Sequence, residues 1–434
     1  MTQTKQPPAN PARFRPPKRQ LRKHSKKQLS QIEASIRRFG FTNPILVDAD
    51  SRIVAGFGRW QSALAMKLAS VPVITLDHLN KTDLRLLAIA DNKLALLSEW
   101  DKSLISLELG ELSIDLDLDI EITGFETVEI DRLHLDLADE EATETVELPA
   151  VDAIAVARAG DHFRLGEHSL VCGDARDPSV YQALMQGKLA RMVFADSPYN
   201  VKIRGNVSGL GAVKHREFVM GSGEMSRREF VDFLRNVNSQ LVINSMDGAI
   251  HFQCIDWRHS AEMQAACEAC YGEFKNLIVW NKDNAGMGSF YRSQHELIQV
   301  WKVGTAPHIN NFGLGASGRF RSNVWSYPGA NTMRKGRLED LAAHPTVKPT
   351  TMVADAVRDV SKRGEIVLDP FCGSGTTILA AERTGRRARC IELDPLYVDV
   401  AIARWESITG RQAIHTETGL TFAALRVARL GAGR

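Results

Sequence analysis

Short apolar runs bounded by polar turns alternate with amphipathic stretches along most of this chain. Ala190-Arg191-Met192-Val193-Phe194-Ala195 is such a run and predicts a buried parallel strand, ending in Asp196-Ser197-Pro198-Tyr199. Glu365-Ile366-Val367-Leu368 predicts a second strand, followed by a Gly373-Ser374-Gly375 turn and a helix from Thr376 to Thr384. Ala388-Arg389-Cys390-Ile391-Glu392 predicts a third that closes on an acid. Gly248 to Cys254, Asn276 to Trp280 and Leu297 to Trp301 read as further strands, and Ala261 to Tyr271 as helical. Ser226-x-x-Glu229 is a capping box for a helix whose apolar face carries Phe230, Phe233, Leu234 and Val237. Strands alternating with helices argue an α/β sheet, with ligands at the carboxyl ends of its strands.

The first hundred residues carry a smaller pattern. Ser30 to Phe39 predicts a helix stopped by Gly40, and Asn43 to Val47, Ile53 to Ala55 and Val71 to Ile74 predict strands. Gly56-Phe57-Gly58-Arg59 opens a helix from Trp60 to Leu68, and another helix runs from about Lys81 to Leu97. Ser113 to Ile122 alternates with period two, which predicts a half-buried strand. Residues 1–27 are Pro-rich and basic and predict a loose tail; Asp139 through Pro149 reads as a linker. The expected organisation is a flexible basic tail (1–15), a small α+β domain (16–110), an acidic connector (111–158) and a large α/β domain (159–425).

Composition adds compartment and partners. The 434 residues are 44% hydrophobic, enough for sizeable cores, with no run of 18 apolar residues for a membrane span and no apolar segment behind the basic N-terminus for a secretory signal. A cytoplasmic protein is expected. The net charge of +2 is unevenly spread: nine Lys or Arg precede Glu33, the first acid, whereas residues 111–152 hold fifteen acids against one Arg. Six Cys suggest a reducing compartment. Cys267-x-x-Cys270 has no second pair, so no metal site is expected.

The chemistry lies in two peptides. Glycines after a strand permit a tight turn and close backbone approach to a ligand, and an acid some 20 residues beyond can hold ribose hydroxyls. Asp196-Ser197-Pro198-Tyr199 resembles motif IV of amino-methyltransferases, usually Asp-Pro-Pro-Tyr, and Asp369 to Thr377 resembles their motif I. His344-Pro345-Thr346-Val347-Lys348-Pro349 resembles the segment just before motif I. This order, catalytic loop first, is that of the β-class DNA methyltransferases, a resemblance covering about residues 159–412. It implies a Rossmann-like, S-adenosylmethionine (AdoMet)-dependent methyltransferase with permuted motif order. It further implies that Asp174, with Ala175, meets the adenine of AdoMet and that Glu392 holds the ribose. Thr346 and Lys348 would lie near the methionine portion, and Asp196, Asp369, Phe371, Cys372, Gly373, Ser374 and Gly375 would line the cofactor. Asp196, the Ser197 carbonyl, Pro198 and Tyr199 would hold a flipped base, with Tyr199 stacking on it. Ser197 departs from the usual proline: the carbonyl survives and rigidity is lost. No Pro-Cys dipeptide occurs, which argues against cytosine C5 methylation.

Residues 16–100 resemble a ParB/sulfiredoxin-like domain, with Gly56 to Arg59 at that family's phosphate-binding box but without its double-Arg form. The domain order resembles prophage and mobile-element modification methylases. Double-stranded DNA is the implied partner, with a homodimer and a separate restriction endonuclease also admitted, and no membrane. Candidate DNA contacts are Arg59, Arg292, His295, Arg319 and Arg321, the last two in the basic stretch 307–337; a similar stretch spans 200–223. Adenine N6 is the expected target. Cytosine N4, a non-catalytic ParB-like DNA-binding protein with a decayed methylase half, and an RNA or protein methylase remain alternatives.

Overall fold

The computed structural model describes residues 7–94, 96–113, 115, 117–135, 154–201, 223–283, 285, 290–312, 321–329 and 348–431. The chain divides into two compact units, Met1–Asp139 and Glu140–Arg434.

The first unit contains α1 (Lys26–Phe39), β1 (Ile45–Val47), β2 (Ile53–Ala55), α2 (Phe57–Ala65), β3 (Val73–Thr75), α3 (Lys81–Leu94), α4 (Lys102–Leu112) and α5 (Thr127–Leu135). The strands form a sheet in the order β2-β1-β3, β1 antiparallel to β2 and parallel to β3. Ile45, Val47, Ile53, Ala63, Val71 and Val73 are its core. Two expectations fail here. The segment before α1 is docked from residue 9 onward: Ala9 and Val71 exchange backbone hydrogen bonds of 2.9 Å, and Trp60 Nε1 donates to the Pro11 carbonyl at 2.9 Å. Ser113 to Ile122 forms no strand in its described residues. Asp115 and Asp119 accept from the backbone N–H two residues on (3.0 and 3.2 Å), which favours turns over a ladder. Ile120 instead packs with Leu109 and Ile130 in a small helical core. The 139–149 linker lies outside the described residues.

The second unit runs β4 (His162–Leu165), β5 (His168–Cys172), α6 (Pro178–Met185), β6 (Ala190–Asp196), α7 (Arg227–Ile243), β7 (Ser245–Ile255), α8 (Ser260–Glu268), β8 (Glu273–Asn281), β9 (His295–Lys302), β10 (Val324–Ser326), α9 (Thr350–Val360), β11 (Ile366–Asp369), α10 (Thr376–Thr384), β12 (Arg387–Glu392), α11 (Pro395–Thr409), β13 (Ile414–His415) and α12 (Phe422–Leu430). The strands make one sheet in the order β10-β8-β9-β7-β6-β11-β12-β5-β4-β13. Both faces are covered, as a central parallel sheet requires. Val193 and Ala195 of β6 face a core shared with α6, α7 and α8, while Met192 and Phe194 face the core under α9. The predicted capping box starts α7: Ser226 Oγ accepts from Glu229 N, and Glu229 returns the bond to Ser226 N at 2.8 Å. Among the described residues no helix is long and apolar enough to cross a membrane.

β7, β6, β11, β12 and β5 are mutually parallel neighbours, so their carboxyl ends share one edge. β9 runs antiparallel to β7 and β8 and begins at that same edge. Asp196, Asp369, Glu392 and the turn after Cys172 are therefore gathered by topology, although the sequence scatters them over more than two hundred residues.

Candidate active site

Asp196 is the last residue of β6, and the loop after it turns at once. Tyr199 Oη donates to Asp196 Oδ1 at 2.9 Å and lies 3.0 Å from Glu296 Oε2. Lys348 Nζ stands 2.7 Å from each Asp196 oxygen, 3.1 Å from Tyr199 Oη and 3.1 Å from Glu296 Oε2. Lys282 Nζ binds the other Glu296 oxygen. Two carboxylates and two ammonium groups thus form one cluster, closed on one side by the indole of Trp280, which lies 4.6 Å from Lys282 Nζ and 5.7 Å from Lys348 Nζ. The Lys348 side chain is 5% exposed, so its charge depends on these partners. Burial would lower the ammonium, but Asp196 and Glu296 outweigh it and hold it above its ordinary value. Burial would likewise raise Glu296, yet Lys348 and Lys282 bring it down to about 2. Asp196 goes the other way: burial raises its carboxyl despite Lys348.

On the neighbouring strand, the glycine turn links β11 to α10. Asp369 is buried and accepts from Phe371 N at 2.9 Å and Thr377 Oγ1 at 2.5 Å, which ties the loop across its base; burial pushes its carboxyl up to about 7. Gly375 holds φ +87 and caps α10, and a Cβ there would meet Ala401 Cβ at 3.0 Å. Gly373 holds φ +52 with nothing within 4 Å of an added Cβ, a cradle open on the ligand side. Glu392 spans the turn: Oε2 accepts from Gly373 N at 2.7 Å and Oε1 from Asp394 N at 2.8 Å, which leaves lone pairs on both oxygens for hydroxyl donors. Its carboxyl is pushed by burial up to about 7. Gly173 N donates to the Glu392 carbonyl at 2.9 Å, so Asp174 stands beside this acid, where Arg176 pairs with it at 2.6 Å. Open glycine backbone, a helix N-terminus and an acid with spare acceptors fit a nucleoside cofactor such as AdoMet. Among the described residues no group of three or more His, Cys, Asp or Glu is placed to hold a metal.

The structure brings together Asp196, Ser197, Pro198, Tyr199, Lys348, Asp369, Phe371, Cys372, Gly373, Ser374, Gly375, Glu392, Asp174 and Ala175 along one sheet edge. Thr346 and Arg319 lie outside the described residues, as do 202–222 and most of 307–337. Lys348, expected near the methionine portion of the cofactor, is clasped by Asp196. Arg321 is turned inward: Nε pairs with Asp359 at 2.9 Å, Nη1 donates to Tyr327 Oη at 3.0 Å, and the guanidinium lies over Trp325 at 4.5 Å. That geometry spends its charge on the fold rather than on a phosphate. Arg292 is exposed, and His295 opens β9 half-buried. Phe290 and Tyr291, 86% and 81% exposed, pack edge-to-face at the tip between β8 and β9. In the first unit Arg59 is half-buried on α2 above Gly56, with burial lowering its guanidinium and Asp91 acting against that. Glu296 ends the polar, aromatic segment Ser289 to Glu296, which by its residue types suits either a base pocket or a buried hydrogen-bonded turn. Lys282 and Trp280 carry no such signal in the sequence beyond lying at the end of an apolar strand, where a hairpin edge meets the site.

Three family models match the chain: DNA methylase over residues 190–403, the ParB-methyltransferase HTH domain over 103–159 and the ParB N-terminal domain over 10–92. The helical module around α4 and α5 falls within the second match. The type II methyltransferase M.ScaI of Streptomyces caespitosus is 33% identical over 90 residues, 21% of this chain and 30% of that protein. The chain thus spans under a third of that relative's length. YnaK of Escherichia coli (strain K12), a ParB-like nuclease domain-containing protein, is 48% identical over 58 residues, 13% of this chain and 67% of YnaK. The solved PvuII DNA methyltransferase, cytosine-N4-specific, aligns with 56% of this chain and 90% of its own at 15% identity and a TM-score of 0.40.

Proposed function

We propose that this chain, which belongs to the DNA methylase family over residues 190–403 behind a ParB N-terminal domain, methylates the N6 amine of adenine in a base turned out of duplex DNA. The observation that carries this reading is the shared sheet edge, where the Asp196 carboxylate and the open Gly373 cradle stand on neighbouring parallel strands. AdoMet, when bound, supplies an electrophilic methyl on a sulfonium. Glu392 would accept from the ribose hydroxyls, and Asp174 would flank the adenine.

The protein's own part is positioning. An adenine amine is a poor nucleophile because its lone pair is delocalised into the ring. Asp196 accepts one N–H and the Ser197 carbonyl the other. The nitrogen is drawn towards tetrahedral geometry, with its lone pair facing the methyl. After transfer the nitrogen carries a surplus proton, and Asp196, its carboxyl raised by burial, is placed to take it. Asp at position 196 favours adenine; cytosine N4 is the second reading, since the same two acceptors serve either amine. A homodimer, a companion endonuclease and a cytoplasmic setting accord with this reading.

Nucleoside mass spectrometry on DNA from methylation-free cells tests it. Wild type should produce N6-methyladenine and Asp196→Ala none. N4-methylcytosine would keep the mechanism and change the base. No modified base from a folded, AdoMet-binding protein would refute the reading.

A further inference from the structure

Resting on the methyl-transfer reading above, we propose that Glu296 is a positioning residue that draws the Lys348 ammonium off Asp196 when the target amine arrives. Both Asp196 oxygens are engaged: Lys348 Nζ lies 2.7 Å from each, and Tyr199 Oη adds a third donor on Oδ1. Oδ1, with two donors, has no lone pair to spare and Oδ2 keeps one, so an incoming amine N–H shares the charge of Asp196 with Lys348. For the amine to be held at full strength Lys348 must draw back, and its side chain, 5% exposed, has no bulk water to move into. Glu296 Oε2 already stands 3.1 Å from the same ammonium. Lys282 holds Oε1, so Oε2 stays aimed at Lys348 and Tyr199. The ammonium therefore has a second seat within reach of a small side-chain shift, and no charge is stranded at any stage.

The charge count leads to the same conclusion. Asp196, Glu296, Lys282 and Lys348 sum to zero. With Glu296 neutralised, two ammonium groups face one carboxylate in a site that must also admit a cationic cofactor. Lys348 would then be locked on Asp196, and the amine would compete with it directly. Tyr199, bridging the two carboxylates at 2.9 and 3.0 Å, keeps them at a fixed separation.

The alternative is that the cluster merely pins the β8–β9 hairpin. Glu296→Gln separates the two, since glutamine keeps the shape and an acceptor for lysine but removes the charge. The assay is single-turnover methyl transfer from labelled AdoMet to plasmid DNA from methylation-free cells, by the full chain. We expect the rate at saturating AdoMet to fall about 10²-fold, the cost of misplacing a reacting group, alongside the lower Tm and weaker AdoMet binding that loss of a buried negative charge brings. Glu296→Asp, which keeps the charge one methylene short, should recover part of the loss. The acid limb of the pH–rate profile should also move. Asp196 faces Lys348, Tyr199, Glu296, Cys254 at the end of β7 and Asp369 at the end of β11, with Lys282 behind Glu296. Of these Glu296 raises the Asp196 carboxyl, so its neutralisation should shift the limb to lower pH even as the rate falls. A Glu296→Gln rate equal to wild type, or a slow variant whose acid limb stays put, overturns the proposal. Should that variant not fold, Glu296→Asp decides: a slowed rate sustains the proposal and a wild-type rate removes it. A wild-type chain that transfers no methyl refutes the underlying reading, and the inference with it.

Discussion

Arg321→Met separates a fold-bearing arginine from a DNA-binding one. The guanidinium reaches Asp359 at 2.9 Å, Tyr327 at 3.0 Å and Asp355 at 3.7 Å, and covers Trp325 at 4.5 Å. Asp359 is 4% exposed on its side chain, so the substitution takes a positive charge away from a carboxylate that water does not reach. Removing one member of so buried a pair costs about 3–5 kcal/mol. A domain of this size loses roughly 2–4 °C of melting temperature per kcal/mol, so the lower end of that range corresponds to about 6–12 °C. A lost phosphate contact behaves differently: it leaves stability alone and makes the slope of log affinity against log salt shallower by about 0.9. Calorimetry and DNA titration over a salt series read both quantities on one preparation. The expected result is a large drop in Tm with an unchanged salt slope. A Tm within about 2 °C of wild type, with the slope reduced by about one, would refute the assignment.

Cofactor binding should depend on pH. Glu392 and Asp369 both have carboxyls raised to about 7, so the stability they lend the cofactor-free protein is full in acid and is lost as pH rises from their ordinary values through 7. Because a cationic ligand favours the ionised acid, AdoMet should bind roughly tenfold tighter at pH 8 than at pH 6; calorimetric affinities equal at the two values would refute this. The two loop glycines should separate fold from ligand. Gly373→Ala places a methyl in open space and should weaken AdoMet binding while costing the fold about 1 kcal/mol. Gly375→Ala, crowded at 3.0 Å by Ala401 in a left-handed backbone, should cost the fold about 1–3 kcal/mol more; equal losses of Tm in the two variants would contradict the geometry.

Much of the catalytic sheet was readable because its strands are continuous apolar runs with turn residues at both ends. The helix after the glycine turn falls at Thr376–Thr384, as the pattern predicts. The capping box at Ser226 likewise forms as read. What escaped depends on pairing between distant segments. Lys282 looks like an ordinary hairpin charge, and the segment ending at Glu296 suits a pocket or a turn equally, until β9 is laid antiparallel against β7, which carries Glu296 to Asp196. Arg321 looked like one of several loop arginines because Asp359 lies 38 residues away, on α9. Ser113 to Ile122 misled by its period. Alternation signals a strand only where a neighbouring strand accepts the ladder, and here the acids serve their own backbone.

The strand order also dictates how this chain must be assembled. β5 and β6 follow each other in sequence, yet β11 and β12 lie between them in the sheet. As synthesis proceeds from the N-terminus, residues 160–302 emerge with a gap at the centre of the sheet, and two apolar strand edges wait unpaired for residues 366–392. Such edges invite pairing with other chains. The insertion that fills the gap also delivers Asp369, the glycine turn and Glu392, so the cofactor cradle is finished by the very event that seals the sheet. A nascent or truncated chain lacking that insertion therefore has an Asp196 loop with no cradle beside it.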